Sequence, residues 1–372
     1  MKTSFHLGKL MGIPIRIHIS WLVIFLLLTT SLARYVFPDL YPDWSQATYW
    51  LIGLVTSLLF FASLLTHEMA HSLIAVKRGI GVRSITLFIF GGAARISREA
   101  SSAGTELLMA IAGPLTSVLL SALFAVIWLV TNDFLEPIAA MSFYLSWINL
   151  ALAAFNMLPG FPLDGGRVLR SIIWWRSKSY MRATRLATLS GQVFGYLLIL
   201  FGAIIAVLQS WLSGLWLAFI GMFLIIAAST SYQQAKLRES LQDFTAQSLM
   251  TPGCQRVPAS LSLESVVKDY LLPGGYQCLL VSDWGNFVGV ITPQELQRIP
   301  RKSWSTTTVS QAMIPVERLG TVSPSDNGIT VLERMDEGDY GLLLVKTDYT
   351  VVGVIERLRL LQLSRLHSDL GM

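Results

Sequence analysis

Long apolar segments separated by short polar loops fill the first 230 residues of the chain. A helix needs about 20 apolar residues to cross the hydrocarbon core of a bilayer. Segments of roughly this length lie at Ile19–Val36, Tyr49–Val76, Thr105–Val130, Ile138–Leu158, Leu189–Gln209 and Leu212–Thr230. The pattern predicts a polytopic α-helical membrane domain with about six transmembrane helices, which occupies residues 1–235.

Two shorter stretches alternate apolar and polar residues with the period of a β-strand rather than a helix. They are Gly12–Ser20, with the sequence GIPIRIHIS, and Arg83–Ile96, with the sequence RSITLFIFGGAARI. Unpaired strand backbone cannot face lipid, because the bilayer core offers it no hydrogen-bond partners. We therefore predict short membrane-associated β-strands that pair with each other or line a cavity.

The polar tail after Thr245 contains an internal repeat. Met250–Pro252 recurs as Met313–Pro315, and Gly289–Ile291 recurs as Gly353–Ile355. A repeat of this length in only two copies indicates tandem domains, because solenoid arrays need at least three repeats. Each copy includes a short β run, so the tail is predicted to be a pair of α/β domains at residues 245–304 and 305–366.

The composition indicates a membrane protein with a polar tail. Hydrophobic residues make up 53% of the chain and charged residues 14%, against about 25% charged in a typical soluble domain. The net charge of +5 requires no nucleic-acid partner, because membrane proteins concentrate Lys and Arg on their cytoplasmic loops. The basic loops place both termini and the tail in the cytoplasm, and we expect a prokaryotic plasma (inner) membrane. Cys254 and Cys278 are then expected to be buried, reduced thiols, because disulfides are rare in the cytosol.

Three ionisable residues interrupt the second apolar segment, in the stretch LLTHEMAHSLIAV, Leu64–Val76. Residues four apart lie on one face of a helix, so His67 and His71 can direct ring nitrogens at one metal ion. Glu68 lies beside that ion without binding it, as in the His-Glu-x-x-His motif of zinc hydrolases. The alternative is a pair of histidines hydrogen-bonded inside the bundle, which would leave several buried polar groups to satisfy.

A catalytic zinc has three protein ligands and an open position, so a third ligand is needed. Three carboxylates lie on the predicted side of the membrane: Glu99, Glu106 and Asp164. Glu99 and Glu106 belong to a polar segment that reads as a solvated loop and the start of a helix. Asp164 lies in NMLPGFPLDGG, residues 156–166, where prolines stiffen the chain and glycines permit close approach. We therefore predict Asp164 as the third ligand.

The sequences HEMAH, AGP at Ala112–Pro114 and NMLPGFPLDGG together resemble the site-2 protease family of intramembrane zinc metalloproteases. The resemblance covers about the first 230 residues. It implies that His67, His71 and Asp164 bind Zn²⁺ and that Glu68 is the general base. It also implies that Asn156 is a polar active-site residue that helps hold the oxyanion or the substrate backbone. Gly91 and Gly92 would belong to an edge strand that pairs with unwound substrate by β-augmentation.

The repeats of the tail resemble a pair of cystathionine-β-synthase (CBS) domains, here expected in the cytosol. The resemblance implies binding of an adenine nucleotide, regulation of the attached domain and a homodimer formed through the CBS pair. The family often has Thr or Ser followed three residues later by Asp; this chain has Thr292 and Glu295 in the first repeat. The second repeat has Glu356 and Arg359 instead, and a glutamate there would repel phosphate. We therefore expect at most one nucleotide site, at Thr292, or else a purely structural or dimerising pair.

These features together predict an intramembrane zinc endopeptidase that cleaves a single-pass membrane protein within the lipid bilayer, as in regulated intramembrane proteolysis, and that the CBS pair modulates. One alternative is a metal or ion transporter with a CBS sensor. A transporter has little need of a glutamate next to a ligating histidine, and transporters commonly carry repeats among their spans, which are not evident here. A second alternative, a catalytically idle scaffold, conflicts with the intact set of metal ligands.

Overall fold

The computed structural model describes residues 4–89, 91–274, 278–338, 340–348 and 350–362. The chain forms two compact units, Met1–Gln233 and Gln234–Met372. Among the described residues, six helices are long and apolar enough to cross a membrane, as the hydropathy pattern predicts. They are α1 (Ser20–Leu40), α2 (Gln46–Lys77), α3 (Ala103–Thr131), α4 (Glu136–Asn156), α6 (Tyr180–Leu208) and α7 (Trp211–Ser240).

The helix that carries the two histidines is longer than a bilayer is thick. α2 begins after Ser45, whose hydroxyl accepts a hydrogen bond from the Thr48 N–H, and it continues for 32 residues. At about 1.5 Å per residue this is roughly 48 Å, against about 30 Å of hydrocarbon core. His67 and His71 lie in its last three turns, so the site is nearer to one end of the helix than to its middle.

A short helix, α5 (Asp164–Ser177), lies between α4 and α6 in the chain. It is amphipathic and packs against α3 and α6. The preceding loop is attached to α6, because the Phe161 N–H donates to the carbonyl of Ala187 over 3.1 Å. The first residue of α5, Asp164, is thereby placed beside the helices of the membrane domain.

The membrane unit also contains a four-stranded sheet. Its strands are adjacent in chain order: β1 (Ser4–Leu10), β2 (Ile13–His18), β3 (Val82–Phe88) and β4 (Gly91–Ile96). The two alternating stretches do pair with each other, since β2 runs parallel to β3 with Ile15 opposite Ile85. β1, which the sequence did not suggest, pairs antiparallel with β2. β4 pairs antiparallel with β3 and forms one edge of the sheet.

The second unit contains two sheets that exchange strands between the repeats. The first has the order β6 (Gln255–Pro258), β7 (Leu279–Asp283), β8 (Asn286–Ile291) and β9 (Ile314–Pro315). The second has the order β10 (Gly320–Val322), β11 (Leu342–Thr347), β12 (Thr350–Glu356) and β5 (Thr251–Pro252). The short strand near the start of each repeat thus completes the sheet of the other repeat. Residues 363–366 of the predicted second repeat lie outside the described residues.

The expectation of reduced cysteines is wrong. Cys254 and Cys278 form a disulfide, with their Cα atoms 5.1 Å apart. The two residues directly precede β6 and β7, which pair in parallel with Gln255 opposite Leu279. The sheet therefore brings the two side chains together, and this proximity depends on a strand register that the local sequence does not reveal.

Candidate metal centre

Three predicted metal ligands converge in the membrane unit. The donor atoms of His67, His71 and Asp164 all lie within 4.8 Å of one another. The Nε2 atoms of the two histidines are 3.2 Å apart, and each is 3.2 Å from Oδ2 of Asp164. Both histidines are buried. The i, i+4 spacing on α2 and the start of α5 thus build one compact set of two nitrogens and one oxygen.

The other ring nitrogen of each histidine is held by α3. Nδ1 of His67 lies 2.9 Å from the hydroxyl of Ser117, and Nδ1 of His71 lies 2.6 Å from the carbonyl oxygen of Met109. A carbonyl can only accept, so His71 carries a proton on Nδ1 and has a lone pair on Nε2 when it is neutral. Partners of this kind fix the orientation of a metal-binding imidazole. Neither Ser117 nor Met109 was singled out from the sequence, although Ser117 follows the AGP motif by three residues.

Gly113, in the middle of that motif, leaves space for the two imidazoles. A Cβ atom at this position would lie 2.1 Å from Nε2 of His71 and 2.6 Å from Nε2 of His67. Both separations are far below a van der Waals contact, so any side chain would occupy the space of the donor atoms. The close passage of α3 across the histidines therefore requires glycine here.

The residues present fit a catalytic zinc ion. Zinc binds imidazole nitrogen and carboxylate oxygen in sites with three protein ligands and one open position. His67, His71 and Asp164 supply this set through two Nε2 atoms and Oδ2. Both Nδ1 atoms are hydrogen-bonded to α3, so the two Nε2 atoms and Oδ2 of Asp164 are the atoms available to bind a metal.

The two rejected carboxylates do not join this set, but one prediction about them is wrong. Glu106 is fully buried rather than solvated. Its carboxylate forms an ion pair with Arg170 of α5. Glu99 is half-buried and accepts a hydrogen bond from the hydroxyl of Tyr180. The polar composition of the segment does not predict this burial, because the partners, Arg170 and Tyr180, are more than 60 residues away in the chain.

Glu68 and the edge strand β4 are in contact. A Cβ atom on Gly92 would lie 2.4 Å from Cγ of Glu68 and 3.2 Å from its Oε1. The strand backbone therefore passes directly over the Glu68 side chain, and only glycine permits this approach. Gly91 lies at the start of the same strand with a φ of +126°. The structure thus places Gly91 and Gly92 at one side of the candidate site.

Asn156 precedes Asp164 by eight residues in the chain. It is the last residue of α4 and its side chain is half-buried. The loop of residues 157–163 leads from it to Asp164. The carbonyl oxygens of Met157 and Leu158 pack against Gly165, within 2.4 Å of the place where a Cβ would stand. Asn156 is therefore linked to the site through this loop.

Replacing Ser117 with alanine removes the partner of His67 Nδ1 and leaves all three ligands in place. We expect zinc to bind about 10-fold to 100-fold more weakly, as for other residues that orient metal ligands. The measurement is zinc competition between the purified protein and a chelating dye. Thr116→Ala is the matched control, because its hydroxyl donates to the carbonyl of Ala112 in the same helix. Equal affinity in both variants would contradict the orienting role.

In the second unit, Thr292 is engaged with a neighbouring residue. Its hydroxyl is buried and donates a hydrogen bond to the carboxylate of Glu295. Burial and the nearby carboxylate of Glu295 raise the pKa of Glu356. The Gln294 side chain donates to Glu356 over 3.0 Å, so acidic residues of both repeats meet here.

A cavity of about 250 Å³ lies elsewhere in the same unit. Its lining combines two cations, Arg256 and Lys346, with a hydroxyl from Ser282. Apolar residues complete it, among them Phe287 and Val351. The described residues that line it include no carboxylate, so this cavity suits an anion with an apolar part.

Comparison with known proteins gives consistent matches. The sequence profile described as Peptidase family M50 matches residues 55–134 and 133–201. The chain is 33% identical over 364 residues to the zinc metalloprotease homologue sll0528 of Synechocystis sp., covering 96% of this chain and 94% of that protein. The solved site-2 protease from Methanocaldococcus jannaschii is 27% identical and covers 62% of this chain, with 95% of its own chain matched and a TM-score of 0.43.

The second unit has a separate match. The solved CBS domain of a bacterial CNNM/CorC family Mg²⁺ transporter, in complex with ATP, covers 36% of this chain. The match includes 97% of that domain, at 15% identity and a TM-score of 0.29.

Proposed function

The chain belongs to peptidase family M50 and is an intramembrane zinc metalloprotease, and we propose that its active site consists of His67, His71, Asp164 and Glu68. The observation that carries this assignment is the convergence of two Nε2 atoms and one carboxylate oxygen within 4.8 Å. His67, His71 and Asp164 would hold the zinc ion. Glu68, adjacent to His67 on α2, would be the general base.

Each residue of the proposed site has a separate role in the hydrolysis. Zinc, when bound, supplies Lewis-acid polarisation of the scissile carbonyl and of the attacking water. The Glu68 carboxylate takes a proton from that water and passes it to the nitrogen of the leaving amine. Ser117 and the Met109 carbonyl hold the two imidazoles during these steps. Asn156 donates a side-chain hydrogen bond to the substrate backbone or the oxyanion.

The substrate is a single-pass membrane protein, cleaved within its transmembrane segment. A substrate helix conceals its carbonyl groups in its own hydrogen bonds, so it must unwind before hydrolysis. The edge strand β4 offers free backbone groups to the extended segment, by the strand addition that many proteins use to bind peptides. The contact between Gly92 and Glu68 supports this arrangement, because a segment paired with β4 would lie beside the general base.

The transporter alternative is less well supported by the site. A transport site has to release its ion, whereas both histidines are fixed through Nδ1 by α3. Glu68 is not among the converging donor atoms, so it would have no evident role in transport. Membership of a peptidase family favours hydrolysis for the same set of residues.

The substitution Asp164→Ala tests the proposed site. It removes one of three ligands, so we expect the purified protein to lose most of its zinc. In cells, one or a few single-pass membrane proteins should accumulate uncleaved relative to cells with equal amounts of the wild-type protein. Asp133→Ala, in the loop before α4, is the control and should retain zinc and cleavage. Wild-type zinc content in Asp164→Ala would exclude Asp164 as a ligand.

We further propose that the second unit is a regulatory CBS pair on the cytoplasmic side, in a prokaryotic plasma membrane with both termini cytoplasmic. Basic residues on the loops after α2 and around α5 support this orientation, whereas the Cys254–Cys278 disulfide is uncommon in a cytosolic domain. The domains would be residues 1–235, 245–304 and 305–366, and two chains would associate through the CBS pair. The regulatory ligand would be an adenine nucleotide, whose phosphates the cavity at Arg256 and Lys346 would bind.

Binding of ATP to the purified full-length protein tests this ligand. Replacing Arg256 or Lys346 with glutamine removes a charge-assisted contact, so we expect the affinity for ATP to fall about 10-fold for each. Thr292→Ala tests the site predicted from the sequence, where the hydroxyl would have to release Glu295 to meet a nucleotide. Lys268→Gln, on the exposed surface of the same unit, is the charge-matched control. Unchanged affinity in all three variants would contradict a nucleotide site at either place.

A further inference from the structure

A buried polar network lies near the metal centre without belonging to it. The Arg170 Nε donates to Oε1 of Glu106 over 2.6 Å, and a second nitrogen of the same guanidinium group also donates to this oxygen. A third nitrogen donates to the hydroxyl of Tyr180 over 2.6 Å. The Tyr180 hydroxyl in turn donates to the carboxylate of Glu99. The side chains of Arg170 and Glu106 are only 11% and 1% exposed.

The network joins the same elements that form the metal centre. Arg170 lies six residues after Asp164 in α5, about 9 Å along the helix axis. Glu106 lies three residues before Met109 in α3, about one helical turn from the carbonyl that holds His71. The guanidinium group also lies 4.8 Å from the ring of Phe161, in the loop that leads to Asp164. Arg170 therefore follows Asp164 in α5 and contacts Phe161, which precedes Asp164 in the chain.

We propose that Arg170 is a positioning residue that sets Asp164 at the metal centre, through its ion pair with Glu106 and its contact with Phe161. Asp164 attaches the start of α5 to His67 and His71 of α2, and this contact alone does not fix the rotation of α5 against α3. A second attachment at Glu106 fixes both the rotation and the translation of the helix. The Tyr180 hydroxyl and Glu99 hold the guanidinium group in the orientation that this requires. The inference rests on the zinc site proposed above.

The network is a poor device for stability alone. Desolvation of two charges offsets most of their attraction in an apolar interior, so buried ion pairs often contribute little net stability. Their best-attested use is to select one arrangement of packed elements. An arginine is well suited to this task, because its planar fork can bind two partners in a fixed geometry.

The experiment measures zinc dissociation constants of the purified full-length protein in detergent, by competition with a chelating dye, together with thermal unfolding. The variants are Arg170→Gln, Tyr180→Phe and the double variant Glu106→Gln with Arg170→Gln. The double variant removes both charges of the buried Arg170–Glu106 ion pair, so its unfolding temperature should recover towards that of the wild type. Its zinc affinity should stay about 10-fold or more below the wild type, because the two-point attachment is still absent. Arg176→Gln, an exposed arginine of the same helix, is the control.

Tyr180→Phe keeps the ion pair and removes one orienting contact, so a smaller loss of zinc affinity is expected. If Arg170→Gln alone does not fold, Tyr180→Phe still tests whether the network affects zinc affinity. Recovery of both stability and zinc affinity in the double variant would overturn the positioning role, as would wild-type affinity in Arg170→Gln. Failure of the zinc site itself would be distinguishable, because the wild-type protein would then also lack high-affinity zinc binding.

Discussion

Glu68→Gln is expected to abolish proteolysis while the protein keeps its zinc. Glutamine has nearly the same shape as glutamate but cannot accept a proton from water, and general-base catalysis contributes about 10²-fold to 10⁴-fold to a rate. The donor atoms of His67, His71 and Asp164 are unaffected, so metal content should equal that of the wild type. The measurement pairs elemental analysis of purified protein with cleavage of membrane proteins in cells.

The control for this substitution is Glu136→Gln, at the start of α4, where the carboxylate accepts a hydrogen bond from Trp44. It should leave both zinc content and cleavage unchanged. Cleavage at the wild-type rate in Glu68→Gln would exclude Glu68 as the base. Metal flux that survives the substitution, with no cleavage product in the wild type, would favour the transporter.

Gly113→Ala is expected to remove zinc binding through the addition of one methyl group. The new Cβ would lie 2.1 Å from Nε2 of His71 and 2.6 Å from Nε2 of His67, so the imidazoles must move away from each other or α3 must withdraw. Either change separates the ligands, and we expect at least about a 100-fold loss of zinc affinity. The fold should tolerate the change better than the site does, because alanine favours a helix over glycine by about 1 kcal/mol.

Gly104→Ala provides the matched control in the first turn of the same helix, where a Cβ would meet nothing within 4 Å. This variant should bind zinc like the wild type and unfold at the same or a slightly higher temperature. Stoichiometric zinc with wild-type affinity in Gly113→Ala would show that the close contact with the histidines is not required.

Much of the membrane unit follows from local patterns in the sequence. Hydropathy predicts all six spans because each must satisfy the lipid along its own length. The spacing of His67 and His71 predicts their convergence because a helix repeats every 3.6 residues. Asp164 was predicted from the prolines and glycines around it, and the structure brings it to within 3.2 Å of both histidines.

Several of the features that the sequence did not reveal depend on distant partners. Glu106 reads as solvated in a polar segment, yet Arg170, 64 residues away, accompanies it into the interior. Ser117 and the Met109 carbonyl acquire a role only when α3 crosses α2. The cysteines become neighbours through the register of β6 and β7. Local composition describes a residue's own surroundings in the chain, whereas these contacts depend on tertiary packing.

The exchange of β5 and β9 between the repeats has a consequence for how the second unit can be divided. If the repeats were separated, β8 would lose β9, and β12 would lose β5, so each would present an unpaired edge. Exposed strand edges promote association with other chains. The two repeats therefore form one cooperative folding unit. A single excised repeat should self-associate or aggregate, whereas the intact pair should unfold in a single transition.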